Sequence, residues 1–107
     1  MVLICGVLES EGKVYFLKKN GKLELPHVFG DAVADPIGQL AEGFRKQTDI
    51  KVNFAGIILQ TKIGISSCIV CKVVALDTLE SNREHVWLSM EDAKQQQLGE
   101  STMWMKM

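Results

Sequence analysis

The side chains suited to proton transfer or cation binding are His27 and the acids Glu24, Asp31, Asp35, Glu42, Asp49, Glu80 and Glu84. An imidazole acts as general base or metal ligand only with a second group in reach, and Asp31 and Asp35 are the nearest partners in sequence. Magnesium asks for several hard oxygen ligands in near-octahedral array. At least two of these acids would therefore have to converge, yet no two form a same-face pair on one helix; the plainer reading is solvated loop charge. Cys68-Ile69-Val70-Cys71 has redox or zinc spacing. It lies in a strand-like run, where residues three apart point to opposite faces, and it lacks the helix start that lowers a thiol pKa. Two structural cysteines are expected.

The elements that must hold these groups can be read in order. Residues 2–8 and 13–18 are strand-like, separated by the turn Glu9-Ser10-Glu11-Gly12. Asn20-Gly21 suits a tight hairpin with both central residues at positive φ, and Leu23–Leu25 continues as a short strand up to Pro26. From Pro36 to Thr48, Ile37, Leu40, Ala41 and Phe44 fall at helical spacing, with Gln39, Glu42, Arg45 and Lys46 on the other side. Asp35 suits the N-cap and Pro36 the first helical position. Gly38 and Gly43 each cost this helix about 1 kcal/mol of propensity, so it depends on packing. Residues 51–63 and 65–76 read as two long strands turning at Gly64, 77–84 as polar loop, and Val86-Trp87-Leu88 as a brief apolar segment. Ser89-Met90-Glu91-Asp92 opens a second helix, expected to reach about Leu98.

A chain of 107 residues fits one domain, 1–107. Apolar content of 47% supports a packed globule, and a net charge of -1 provides no broad basic field for nucleic acid. Val2–Leu8 is too short to span a bilayer, so no membrane role is expected. Three cysteines are an odd, sparse set that argues for a reducing compartment, with the cytoplasm as default.

The stretch Leu25-Pro26-His27-Val28-Phe29-Gly30-Asp31, the helical run to Thr48 and Asp49-Ile50 resembles, without a gap, the signature of Nudix hydrolases. That signature runs Gly-Gly, five residues, Glu, seven residues, Arg-Glu, an apolar residue, any residue, Glu-Glu, any residue, Gly, an aliphatic residue. Here the Gly-Gly pair falls on His27 and Val28, the first Glu on Ala34, and Arg-Glu on Glu42 and Gly43. Glu-Glu falls on Lys46 and Gln47, and the last Gly on Asp49. The apolar positions Phe44 and Ile50 and the preceding Leu25-Pro26 fit. Glu84–Asp92 adds to the likeness, with an aromatic residue before a Ser-led acidic helix start.

The resemblance implies an α/β (α+β) fold: a Nudix-like α/β/α sandwich, its mixed β-sheet between the signature helix and a C-terminal helix. It also implies a frame whose metal chemistry is gone, because a lysine beside a divalent site repels the cation. No catalytic residue, metal ligand or cofactor is assigned. On this frame Lys46 points to where the cation would sit, and its ammonium can bind phosphate as a point charge, assisted by Arg45 or Lys51. His27 and Val28 narrow the pocket mouth, and Glu84 or Glu80 approaches from the late loop. The leading expectation is a module binding a nucleotide, another phosphorylated small molecule or a protein. One alternative is an active magnesium-dependent diphosphate hydrolase with its site rebuilt from Asp31, Asp35, Glu80 or Glu84. The other is a purely structural oligomerisation domain. The tail Met103-Trp104-Met105 either folds back on the sheet or covers a homodimer mate or protein partner.

Overall fold

The computed structural model describes residues 2–30, 35–81 and 83–106. Seven strands form one mixed sheet around β1 (Val2–Ser10). A two-residue turn, Glu11 and Gly12 at φ 53° and 76°, leads into β2 (Lys13–Lys19). Asn20 and Gly21 repeat those angles before β3 (Lys22–Glu24), the positive-φ hairpin expected of Asn-Gly. β1 lies antiparallel to β2 at its end and to β4 (His27–Gly30) at its start. It runs parallel to β6 (Ser66–Ala75), which pairs with the long β5 (Val52–Ile63). β7 (His85–Leu88) lies against β2.

Alternation along β1 divides the core. Leu3, Cys5 and Val7 face one side, with Phe16, Leu25 and Val70; Ile4 and Leu8 face the other. α1 (Pro36–Thr48) covers the second side through Leu40 and Phe44. Gly6 lets it come close: a Cβ there would stand 2.8 Å from the Phe44 ring. Asp35 caps α1 by accepting from Gly38 N–H at 3.0 Å, and a side chain on Gly38 would strike that carboxylate. Asp49, in the left-handed region at φ 65°, ends the helix by donating its N–H to Arg45 O.

The first side is covered by α2 (Met90–Lys94) and a C-terminal 3₁₀ helix (Glu100–Lys106), completing the expected sandwich. Ser89 caps α2 as its sequence suggested, accepting from Asp92 N–H at 3.1 Å. Two expectations are corrected here. α2 stops at Lys94 instead of Leu98, because the chain is drawn off to β3: Leu23 N–H donates to Gln97 O and Gly99 N–H to Leu23 O, both at 2.9 Å. The chain also does not leave the sheet at Pro26, where the expected strand stopped: β4 follows, since Val28 and Phe29 find ladder partners in Ile4 and Leu3.

The tail folds back. Trp104 and Met105 are buried in the chain's own core, leaving Met103 exposed, so of the two dispositions expected for Met103-Trp104-Met105 the structure shows the fold back onto the sheet. Thr102 Oγ1 donates to Leu23 O at 2.9 Å, and Ser101 Oγ accepts Leu25 N–H at 2.8 Å while lying 2.7 Å from the Glu24 carboxylate. No helix among the described residues is long and apolar enough to cross a membrane.

Candidate functional site

Between β4 and α1 lies a groove of about 330 Å³ lined by Val28, Phe29, Gln39, Glu42, Gly43, Lys46 and Gln47. The meeting of Val28 with Gly43 shapes it. Val28 stands opposite Ile4 on the α1 side of the sheet, and a Cβ on Gly43 would overlap its Cγ1. The signature has the reverse arrangement, a bare backbone in the loop and a carboxylate on the helix. Bulk has moved from helix to strand, and the space a Glu side chain would cross holds a valine methyl.

Gln47 completes the change. Its Oε1 accepts His27 N–H at 3.2 Å and its Nε2 donates to His27 O at 2.6 Å, so the amide is clamped on the β4 backbone. A carboxylate could make only the first of these bonds, because it has no donor. Lys46 Nζ lies 3.3 Å from Glu42 Oε1, one helical turn away, and both side chains are largely exposed. Such a pair is worth only a few tenths of a kcal/mol, so Lys46 can exchange Glu42 for an anion at small cost.

These residues do not suit magnesium. The groove offers one carboxylate, Glu42, already beside an ammonium, and two amides, of which Gln47 has both ends engaged. No cluster of three or more His, Cys, Asp or Glu side chains at metal-binding geometry occurs among the described residues.

Of the expected binding residues, Lys46 lines the groove and the others do not. Arg45 is exposed in the last turn of α1. His27 pairs with Cys5, which puts its ring on the far side of the sheet. There Nδ1 donates to Leu25 O at 2.7 Å, with Glu24 Oε2 at 3.9 Å, so strand alternation takes it from the pocket mouth. Glu84 is exposed before β7, its carbonyl accepting Lys18 N–H. Glu80 is exposed in the 77–84 loop, and Lys51 is exposed with its carbonyl tied to Leu76 N–H. Asp35 caps α1, and Asp31 and Ala34 lie outside the described residues. What sequence reasoning missed was the coupling of Val28 to Gly43 and of Gln47 to His27. The signal was present: a side chain gained where the signature has glycine, and one lost where it has glutamate.

Arg83, also missed, joins the late loop to the end of α1, donating from Nη2 to Lys46 O at 3.4 Å, with Nε 3.9 Å from Asp49 Oδ2. Tyr15 Oη meets Ser81 Oγ at 2.8 Å nearby, and burial raises its phenol pKa against the opposing effect of that bond. Cys68 and Cys71 face opposite sides of the sheet, as expected from strand alternation. Cys5 is pushed up well beyond the ordinary thiol range by its hydrogen bond with Cys68 and by burial, and burial raises Cys71.

No family model and no curated protein matches the sequence. Solved structures do. An ADP-ribose pyrophosphatase from Streptococcus suis superposes with a TM-score of 0.77 at 13% identity, over 98% of this chain and 84% of that one. The ORF135 protein of E. coli gives 0.73 at 16%, over 96% and 83%. A NUDIX hydrolase from Nitrosomonas europaea gives 0.68 at 17%, over 84% of this chain and 57% of its own length. With its mixed sheet between two helical layers, this chain has the Nudix hydrolase fold.

Proposed function

We propose that the domain binds a phosphorylated small molecule, a nucleotide foremost, in the β4–α1 groove and does not hydrolyse it. The observation that carries this reading is the exchange of bulk between Val28 and Gly43, which occupies the path of a metal-binding carboxylate. Lys46 supplies positive charge beside that path, held only by an exposed pair with Glu42. An ammonium neutralises a phosphate oxygen as a point charge, without a metal. The proteins of similar fold include an ADP-ribose pyrophosphatase, which makes nucleoside diphosphates the first probes.

The test is a thermal-shift and calorimetric screen of ADP-ribose, ADP and dinucleotides, with and without magnesium, alongside assays for released phosphate or nucleoside monophosphate. Expected is metal-independent binding without cleavage, weakened about fivefold in Lys46→Ala, equivalent to about 1 kcal/mol for one exposed charge-assisted contact. Metal-stimulated cleavage lost on changing Asp31, Asp35, Glu80 or Glu84 would replace this reading with the hydrolase alternative. No shift with any probe would remove the nucleotide.

A further inference from the structure

The path β3-β2-β1-β6-β5 has two ends, and the chain treats them differently. At β3 the outer backbone is met by residues 97–99, through the Leu23–Gln97 and Gly99–Leu23 hydrogen bonds. At β5 no element among the described residues pairs with the outer edge. Soluble proteins blunt such an edge with short strands, prolines or charge. β5 has twelve residues, no proline and a single charged side chain, Lys62. Its bulges fall at Phe54/Gly56 and Ile57/Leu59, leaving Leu59–Ile63 as an unbroken ladder. The large apolar side chains around this ladder are exposed: Phe54 at 36%, Ile57 at 53%, Ile58 at 50% and Ile65, at the hairpin tip, at 101%.

We propose that this edge is an interface between two copies of the chain, joined antiparallel about a two-fold axis at Thr61 into one continuous sheet. Self-pairing at that register is complementary. Leu59 stands opposite the mate's Ile63, and the lone charge, Lys62, stands opposite Gln60, so no like charges meet. Ile65, fully exposed at the hairpin tip, lies beside the end of the paired stretch. At about 200 Å² for a fully exposed large side chain, Ile57, Ile58 and Ile65 together expose roughly 400 Å² per copy beside this edge, about half of the ~800 Å² per partner of a standard interface. The strand backbone with Gln60, Thr61 and Lys62 adds to that area. A two-fold contact of this kind closes on itself and stops at the dimer.

Thr61 faces its own copy across the axis, which makes charge a decisive probe. Thr61→Glu and Thr61→Lys each set like charges face to face, whereas mixing the two variants pairs opposite charges. Sedimentation and light scattering should give about twice 11.9 kDa for the unaltered chain, monomers for each variant alone, and a restored dimer for the mixture. Thr61 is half-buried, so Ile65→Lys, at a fully exposed position, serves as a second variant. It should raise the dimer dissociation constant at least tenfold, with an unchanged circular dichroism spectrum. A chain monomeric up to ~200 µM, variants that remain dimeric, or monomeric folded variants that do not pair on mixing would each overturn the proposal.

Discussion

Restoring the signature's acid at position 47 should harm this protein. Gln47→Glu keeps the acceptor for His27 N–H but loses the donor that reaches His27 O at 2.6 Å, leaving a carboxylate oxygen against a carbonyl oxygen. The lost bond is worth about 1 kcal/mol and the unsatisfied, repelling oxygens about as much again, giving about 2 kcal/mol because the site is only partly buried. For a chain of 107 residues that lowers Tm by about 8 °C. Because the introduced carboxyl regains a donor when protonated, the deficit should shrink as pH falls from about 7 to about 4. The assay is thermal unfolding by circular dichroism at both pH values, with and without about 10 mM magnesium. A Tm within about 2 °C of the unaltered protein would refute the clamp. Recovery on adding magnesium would refute it differently, by revealing a cation seat that one carboxylate completes.

Three further outcomes follow from the same contacts. Gly43→Ala should cost about 1–3 kcal/mol by overpacking despite its gain in helix propensity, and Val28→Ala should relieve it, seen as a coupling above 0.5 kcal/mol in a double-mutant cycle of urea unfolding. Ser101→Ala leaves Leu25 N–H and the Glu24 carboxylate short of a partner and should destabilise the chain by about 2–3 kcal/mol, detaching the tail first in hydrogen exchange. Burial raises the folded pKa of Cys71, whereas the coupled thiols Cys5 and Cys68 shift in opposite directions. The Cys71 contribution is complete below the ordinary thiol range and is lost as pH climbs above it, because the unfolded thiol ionises first. Unfolding free energies from urea titration should therefore fall above about pH 9, by up to about 1.4 kcal/mol per pH unit.

Elements whose cause is local were legible in the sequence. Asn20-Gly21 specifies its own turn, Asp35-Pro36 its own helix start, and the alternation through Cys68–Cys71 already separates the two thiols. Elements that depend on distant partners were not. The strand at His27–Gly30 exists because β1 offers it a ladder, and α2 ends early because β3 recruits residues 97–99. Trp104 and Met105 look like contact residues until Ser101 and Thr102 anchor the tail to Leu23 and Leu25. Lining up the signature brings Lys46 and His27 to one pocket; in the structure Lys46 lines the groove while the His27 ring lies across the sheet, because a one-residue step along a strand reverses the face.

The proposal that Val28 and Lys46 fill the cation seat is tested most directly by calorimetric titration of manganese, a stand-in for magnesium, into the unaltered protein. No saturable uptake is expected below ~1 mM. A stoichiometric site with a dissociation constant under ~100 µM, abolished by Glu42→Gln, would show that Val28, Gly43 and Lys46 leave room for the metal after all.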